Sequence, residues 1–307
     1  MSGRNRALPW IALVAVYLLW GSTYLGIRVA VETIPPYLMA GSRYLIAGLL
    51  MLGLRLLIAR ERPALPSRSE LVRIAVTAVL LLVAGNGLLC LAETRIESGT
   101  AALLVASTPI WMLLFDALVA RKMPSGAAIA GIALGSAGIA ILVGKGPAQT
   151  ELLFVALALI GSVSWALGSV YARGNSHAPL VVPLEMAVGG FLSIIVGLIA
   201  GEGSQLNVHA ISAASLWGML WLITGGAMAG YTAYAYVVRT LPTATVATYA
   251  YVNPVVAVLL GALVLREPIT WNVFAGGAAV VASVVLILLG SRASEPVAQE
   301  LSEEAVA

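Results

Sequence analysis

Charged residues are scarce in this chain. Only 17 basic and 14 acidic residues occur among 307, which is 10%, whereas 60% of the residues are hydrophobic. Soluble domains carry roughly 25% charged residues, so a soluble globular fold is excluded. The mean hydropathy of +0.98 also excludes an outer-membrane barrel, because the lumen-facing residues of a barrel would dilute it. The composition therefore predicts a polytopic helical membrane protein.

Cysteine and histidine are almost absent as well. The single cysteine, Cys90, excludes a disulfide within the chain and is interpreted as a small packed residue. The two histidines, His177 and His209, lie in or near predicted loops, and the sequence contains neither HExxH nor GxxxxGK[ST]. We therefore expect no enzymatic activity, no metal site and no cofactor.

Apolar runs of spanning length recur along the whole chain. They fall near residues 8–28, 36–58, 71–91, 98–120, 126–144, 152–172, 180–200, 213–238, 243–265 and 272–290. The pattern predicts an all-α membrane protein with ten transmembrane helices. Residues 291–307 carry four glutamates and are predicted to form a disordered cytoplasmic tail.

The distribution of basic residues predicts the orientation. Of the 17 Lys and Arg residues, 12 lie on the side of the N terminus, 4 lie on the other side, and Arg43 falls within a span. Basic residues accumulate on the cytoplasmic side, so both termini are predicted to be cytoplasmic. Because these residues flank apolar runs, the net charge of +3 reports topology and not a nucleic-acid partner.

The chain repeats itself at an offset of 145 residues. Between 98–145 and 243–290, 12 of 48 positions are identical at that offset. Pro109 matches Pro254 and Arg121 matches Arg266 within this stretch, and Trp20 matches Trp165 outside it. We predict two repeats, 8–146 and 151–290, of five helices each. Since five is odd, the second repeat enters the membrane from the opposite side, an inverted architecture typical of transporters.

Proline interrupts the fourth helix of each repeat at about its middle. Pro109 follows Thr108, and Pro254 follows Asn253. A proline removes one helical hydrogen bond and frees a carbonyl, which is tolerated at membrane depth where a cavity or a side chain compensates. We interpret both prolines as kinks that line a substrate path, with packing kinks as the alternative.

Aromatic and polar side chains cluster on matched helices. Trp20 and Tyr24 lie four residues apart on one face of the first helix. The other candidate substrate-binding residues are Asn86, Thr108, Trp165, Tyr231, Tyr234, Tyr249 and Asn253. Rings with a polar handle suit an uncharged or zwitterionic organic molecule.

Arg43 lies about seven residues into the second predicted span. An arginine at the centre of a span costs about 2.5 to 3.5 kcal/mol on insertion scales, so it should face protein or water. A structural role and an anchor for a substrate carboxylate are both open. By contrast, the glycines at 131, 135, 138, 276 and 277 predict close helix packing, because small residues let helices approach.

The segments LWGSTYLGIR, PPYLMAGSRYLIAG, AGNG, SWALGSVYAR and TYAYVNPVVAVLLGALVLREP resemble the EamA family of the drug/metabolite transporter superfamily. The resemblance covers roughly residues 10–290. It implies an exporter of amino acids and related metabolites in a bacterial-type inner membrane, with a central cavity among helices 1, 3, 4, 6, 8 and 9. The first repeat departs from the family in LVARKMPS, which lacks the glutamate that the second repeat has at Glu267.

The leading hypothesis is a secondary transporter that exports small amino acids or related metabolites by alternating access. Within the superfamily, a multidrug or glycolipid-precursor carrier is the alternative, and a membrane-embedded sensor or enzyme without transport is the alternative from another class. Proton antiport and facilitated diffusion are both open, as is a homodimer. The expected partners are a small-molecule substrate and the lipid bilayer.

Overall fold

The computed structural model describes residues 4–58, 65–121, 123, 125–144, 149–172, 180–241, 243–246 and 248–304. Within these ranges the secondary structure is helical, with no strand. Eight helices are long and apolar enough to cross a membrane, and two shorter apolar helices cover Tyr249–Leu265 and Trp271–Ile287. The all-helical prediction is confirmed, while a count of ten spans stays a prediction.

We number the long helical segments α1 to α10. They are α1 (Arg4–Gly21 and Thr23–Ala30), α2 (Pro36–Ile58), α3 (Arg68–Ala92), α4 (Ser98–Val105 and Thr108–Ala120), α5 (Gly126–Val143), α6 (Gln149–Ala172), α7 (Val181–Ile199), α8 (Ala213–Trp221, Leu222–Ala229 and Gly230–Thr240), α9 (Thr243–Val246, Tyr249–Leu260 and Gly261–Leu265) and α10 (Trp271–Glu304). Short turns at Glu202–Gln205 and Val208–Ala210 join α7 to α8.

The predicted spans and these helices share their ends to within a few residues, with two differences. In α9 a short helix covers Thr243–Val246, and the longer helix begins at Tyr249 after a turn at Thr248, whereas the sequence predicts one span from 243. Helix α10 continues to Glu304, into the segment that the sequence predicts to be disordered. That segment contains four Ala and four Glu residues, which favour helix.

The third helix of each half contains a π-helical segment. In α3 it covers Val79–Asn86, and in α8 it covers Leu222–Ala229. π-Helices are rare and are frequent at functional sites. The two segments therefore mark equivalent places in the two halves where the backbone departs from regular α-helix.

The contacts between helices are the same when the two halves of the chain are interchanged. Helix α1 packs against α8 and α9, and α6 packs against α3 and α4. Helix α2 packs on α7, α5 on α10, and α4 on α9. Exchanging each helix with the one five positions later maps every one of these pairs onto another pair or onto itself. The packing thus has the same internal repeat as the sequence.

Glycine permits the closest of these contacts. A Cβ atom at Gly41 in α2 would lie 2.7 Å from the main-chain oxygen of Gly190 in α7. Similarly, a Cβ atom at Gly138 in α5 would lie 2.9 Å from the main-chain oxygen of Gly276 in α10. Such distances require main-chain shifts, so the predicted packing role of the glycines in α5 and α10 is confirmed.

The repeat extends to backbone conformation. Arg121 ends α4 with φ 50° and Arg266 ends α9 with φ 58°, and these are the two non-glycine residues with positive φ in the described part of the chain. A left-handed conformation is uncommon for such residues. The 145-residue offset matches Arg121 to Arg266. Both halves therefore end their fourth helix with a residue in the left-handed conformation.

Carboxylates from the second half hold two helix N termini of the first half. Glu267 accepts hydrogen bonds from the Ser98 amide (2.9 Å), the Ser98 hydroxyl (2.9 Å) and the Gly99 amide (3.1 Å) at the start of α4. Glu202 accepts from the amides of Tyr37 (3.1 Å) and Leu38 (2.9 Å) at the start of α2. These acceptors satisfy amides that a helix leaves free and place negative charge at its positive end. Position 122, the counterpart of Glu267, lies outside the described residues.

Candidate functional site

Four aromatic side chains from both halves form one cluster, which we call the aromatic cluster. The ring of Trp20 in α1 lies 5.4 Å from Tyr231, 4.9 Å from Tyr234 and 5.3 Å from Tyr249, measured between centroids. The Trp20 indole also donates a hydrogen bond of 3.2 Å to the main-chain oxygen of Gly226. The cluster is therefore fixed to the π-helical segment of α8.

Two features of the sequence position these rings. One is the spacing of the tyrosines along α8, and the other is a glycine that leaves room for each tryptophan. Tyr231 and Tyr234 are three residues apart on α8, so they share a face. A Cβ atom at Gly230 would lie 2.8 Å from Trp20 Cδ1, and one at Gly85 would lie 3.2 Å from Cε3 of Trp165. Each repeat thus sets its tryptophan against a glycine in the third helix of the other repeat.

A buried arginine defines a second group, the arginine cluster. Arg43 is 4% exposed. Its Nη2 atom donates to the Tyr44 hydroxyl at 2.7 Å and to Asn86 Oδ1 at 2.9 Å, and the guanidinium lies 4.4 Å from the centre of the Tyr44 ring. The Cys90 thiol donates to the same Asn86 oxygen at 3.3 Å. Asn86 is the last residue of the π-helical segment of α3, so this group, like the aromatic cluster, lies at a π-helical segment.

Two of the three guanidinium nitrogens of Arg43 have no hydrogen-bond partner among the described residues. Its Nε and Nη1 atoms are buried and make no hydrogen bond to any described residue. Buried polar groups in proteins are nearly always hydrogen-bonded, and ionisable residues inside membranes are typically functional. These unpaired donors are suited to an anionic group such as a carboxylate, because hydrogen bonds to an ionised partner are strong.

Thr108 compensates for the proline in α4. Pro109 cannot donate to the main-chain oxygen of Val105, and the Thr108 hydroxyl donates to that oxygen instead at 2.6 Å. The same hydroxyl lies 2.8 Å from the Ser162 hydroxyl of α6. The Val105 oxygen is therefore satisfied by the residue before the proline and is not left free for a substrate.

Asn253 has the corresponding place in α9. Oriented so that its nitrogen faces the neighbouring carbonyls, its amide donates to the main-chain oxygens of Tyr17 and Tyr249, each at 3.3 Å. Asn253 is buried. The offset of 145 matches Tyr17 to Ser162, so each polar residue before a proline bonds to an equivalent position on the first helix of the other half.

The comparisons with known proteins give the family. The model of the EamA-like transporter family matches twice, at residues 7–144 and 152–289. The chain belongs to this family. An inner membrane transporter of Escherichia coli K12, YedA, described as uncharacterized, is 39% identical over 288 residues, which cover 91% of this chain and 90% of YedA. A second E. coli K12 protein, named "Probable amino-acid metabolite efflux pump", is 22% identical over 92% of this chain and 95% of its own.

One more relative and one solved structure agree with membership of the EamA family. The transporter YvbV of Bacillus subtilis, also described as uncharacterized, is 26% identical over 96% of both chains. A crystal structure of a protein shares the fold with a TM-score of 0.63 at 20% identity, covering 92% of this chain and 98% of its own. The EamA family identifies a multi-pass inner-membrane transporter of a small molecule, and it points to transport and not to enzymatic chemistry.

The structure places the predicted residues of this EamA protein in several neighbourhoods. Trp165 packs in one apolar cluster with Tyr231 and the α3 residues Leu81 and Leu82. Tyr24 packs against a different apolar core and has no ring partner among the described aromatic residues. The remaining predicted residues lie in the aromatic cluster, in the arginine cluster, or beside the two prolines. Their role in substrate binding stays a prediction.

Sequence reasoning missed three polar residues. Tyr44 and Ser162 are partners of predicted residues, and only the three-dimensional structure identifies partners. Glu93 was missed because it directly follows the last residue of α3, where the apolar run ends, yet it is 0% exposed. In the described part of the chain, no group of three or more His, Cys, Asp or Glu residues could hold a metal ion.

Proposed function

We propose that the protein is a secondary transporter that exports small amino acids or related metabolites by alternating access. The observation that carries this proposal is the aromatic cluster, in which Trp20 from the first half meets Tyr231, Tyr234 and Tyr249 from the second. A site built from both halves changes shape when the halves move relative to each other. Alternating access requires such a site.

The chemistry of the two clusters favours a zwitterion or an anion. Arg43 interacts electrostatically with Tyr231, so the arginine cluster adjoins the aromatic cluster. The unpaired Nε and Nη1 atoms of Arg43 can each donate to an anionic group of the substrate, and the rings offer apolar faces for its side chain. A buried arginine repels cationic drugs, so an amino acid fits better than a cationic multidrug substrate. The relative named as an amino-acid metabolite efflux pump supports the same substrate class.

The proposal includes the inverted topology. Ten spans, in repeats 8–146 and 151–290 with cytoplasmic termini, would relate the halves by a two-fold axis in the membrane plane. The exchange symmetry of helix packing supports this arrangement, as do the matched left-handed residues Arg121 and Arg266. Pro109 and Pro254 would then act as paired bending points.

Export from cells tests this proposal. Overexpression should let cells tolerate a toxic amino-acid analogue or release amino acids into the medium. Asn253→Ala removes one hydrogen bond from α9 to α1 and one within α9. A lost buried hydrogen bond costs about 1 to 3 kcal/mol, which is roughly five- to hundredfold. Trp20→Phe retains most of the ring contacts, so Asn253→Ala should reduce export more than Trp20→Phe does.

The matched control is Trp217→Phe. Trp217 is 69% exposed on the surface of α8, so its replacement should leave export unchanged at equal expression. If Asn253→Ala and Trp20→Phe both export as well as the parent, the assignment of the site is wrong. Alanine at Pro109 or Pro254 should slow export without loss of inserted protein. If both variants export normally, the prolines affect helix packing and not transport.

A further inference from the structure

Glu93 is a fully buried carboxyl group without a partner. It directly follows α3, is 0% exposed, and neither carboxylate oxygen accepts a hydrogen bond from any described residue. Its main chain is satisfied, because its amide donates to the main-chain oxygen of Leu89 at 2.9 Å and its own oxygen accepts from Arg28 Nη1 at 3.0 Å. The side chain alone is unsatisfied, which is rare for a buried polar group.

Charged and titratable groups face Glu93 from each element around it. Arg28 and Tyr24 face it from α1, Arg43 faces it from α2, and Glu267 faces it from the connection between α9 and α10. On α3 itself the neighbour is Cys90. The two arginines favour the ionised carboxylate and Glu267 disfavours it, but none of them forms a hydrogen bond or ion pair with the Glu93 carboxyl group.

Desolvation decides the charge of Glu93 in this conformation. Burial without a compensating hydrogen bond disfavours the charged form of a carboxyl group. Burial, with Glu267 adding to it, raises the pKa of the Glu93 carboxyl well above its ordinary range. In this buried arrangement the carboxyl group therefore holds a proton.

Glu93 is connected to the proposed substrate site through one face of α3. Asn86, Cys90 and Glu93 are four and three residues apart, so they lie along the same side of the helix. Asn86 accepts hydrogen bonds from Arg43 at 2.9 Å and from Cys90 at 3.3 Å. Asn86, which binds the Arg43 guanidinium, therefore lies about two helical turns along α3 from Glu93.

We propose that Glu93 binds and releases one proton in each transport cycle and so couples transport to a proton gradient. This inference rests on the proposed function. When the end of the bundle that holds Glu93 opens, water solvates the carboxylate and the Arg28 guanidinium, already bound to the Glu93 main chain, supplies a positive charge. As that end closes, burial makes the carboxylate take up a proton from that side. The proton leaves along the α3 face that carries Cys90 and Asn86 when the opposite end is open, so it crosses the membrane in the direction opposite to the exported substrate.

The first arm of the test needs no substrate. Between the pKa of an unfolded glutamate, about 4.3, and its raised pKa in the folded state, the folded protein binds more protons than the unfolded chain. Stability therefore falls as pH rises, by up to tenfold in the folding equilibrium per pH unit. Thermal unfolding of detergent-purified Glu93→Gln should lack this decline. The matched control is Glu32→Gln, an exposed carboxyl just after α1, which should follow the parent.

The second arm measures coupling in liposomes with a panel of radiolabelled amino acids. A pH gradient should drive accumulation by the parent and by Glu32→Gln. In Glu93→Gln the accumulation should fall at least tenfold, while exchange of labelled for unlabelled amino acid continues. Glu93→Asp keeps a titratable group and should retain pH-driven accumulation, with a shifted pH profile, provided that it elutes as folded protein.

Each outcome decides a separate question. Parallel stability curves for the parent and Glu93→Gln would overturn the proton site whatever the substrate is. A difference between those curves, combined with equal pH-driven accumulation in both proteins, would overturn the coupling role. If no amino acid is transported by the parent, the proposed substrate class fails, while the stability curves still decide whether Glu93 holds a proton.

Discussion

The hydrogen bonds that Glu267 accepts should stabilise the fold, and their number and lengths give the size of the effect. Its carboxylate accepts three hydrogen bonds, at 2.9, 2.9 and 3.1 Å, from the Ser98 amide and hydroxyl and from the Gly99 amide. Loss of a helix N-cap costs about 0.5 to 2 kcal/mol, and hydrogen bonds to charged groups contribute about 1.5 to 3 kcal/mol each. Because Glu267 is half-exposed, we expect Glu267→Ala to cost roughly 2 to 4 kcal/mol of folding free energy.

The assay is thermal unfolding of the purified protein in detergent. A cost of that size corresponds to a decrease in Tm of about 3 to 6 °C for a chain of this length. Gly261→Ala offers an independent perturbation of the same contact, because the new Cβ atom would lie 2.8 Å from the Ser98 hydroxyl and would also collide with the Glu267 carboxylate. It should lower Tm as well.

Glu32→Ala is the matched control, since it removes an exposed carboxyl and should change Tm by no more than about 1 °C. If Glu267→Ala and Gly261→Ala both unfold at the temperature of the parent, the hydrogen bonds between Glu267 and α4 do not stabilise the fold. The role assigned to the second-repeat glutamate would then be refuted.

Three further predictions concern topology, packing and the substrate site. In a Cys90→Ala background, a cysteine at Ser204 should react with an impermeant maleimide in intact cells and one at Ser67 should not; the reverse pattern would overturn the orientation. Gly41→Val should lower the yield of folded protein, measured by size-exclusion chromatography, because overpacking costs about 1 to 3 kcal/mol; a parental yield would argue against the close contact of α2 and α7. Arg43→Lys keeps the charge but loses the forked geometry, so the half-saturation concentration for amino acids should rise about tenfold or more; an unchanged value would remove Arg43 from the site.

The sequence predicts the helices well because their signal is local. Runs of apolar residues fix the spans, and the breakers around Pro36 and Gly144 fix several ends. The close packing of α5 on α10 was also predictable, since Gly138 and Gly276 are small whatever they contact. The internal repeat was visible because Trp, Pro and Arg matched at one offset.

The site was predicted less completely because its features depend on partners. No local pattern distinguishes the π-helical segments from α-helix. Asn86 was singled out, but its bond to Arg43 depends on how α2 packs beside α3. Glu93 looks like a solvated loop residue in sequence, and only the surrounding helices bury it. Pro109 was expected to free a carbonyl that a cavity or a side chain compensates, and only the structure shows that the Thr108 hydroxyl donates to the Val105 oxygen.

Counterflow in liposomes is the most direct test of the central claim, which is export of amino acids by alternating access. Vesicles containing the purified protein would be loaded with an unlabelled amino acid and diluted into a trace of the labelled one. A carrier whose site faces one side at a time exchanges the two, so labelled amino acid should accumulate transiently inside, and more slowly with Asn253→Ala. If no member of an amino-acid panel shows counterflow while the protein is folded and inserted, the account of its function is wrong.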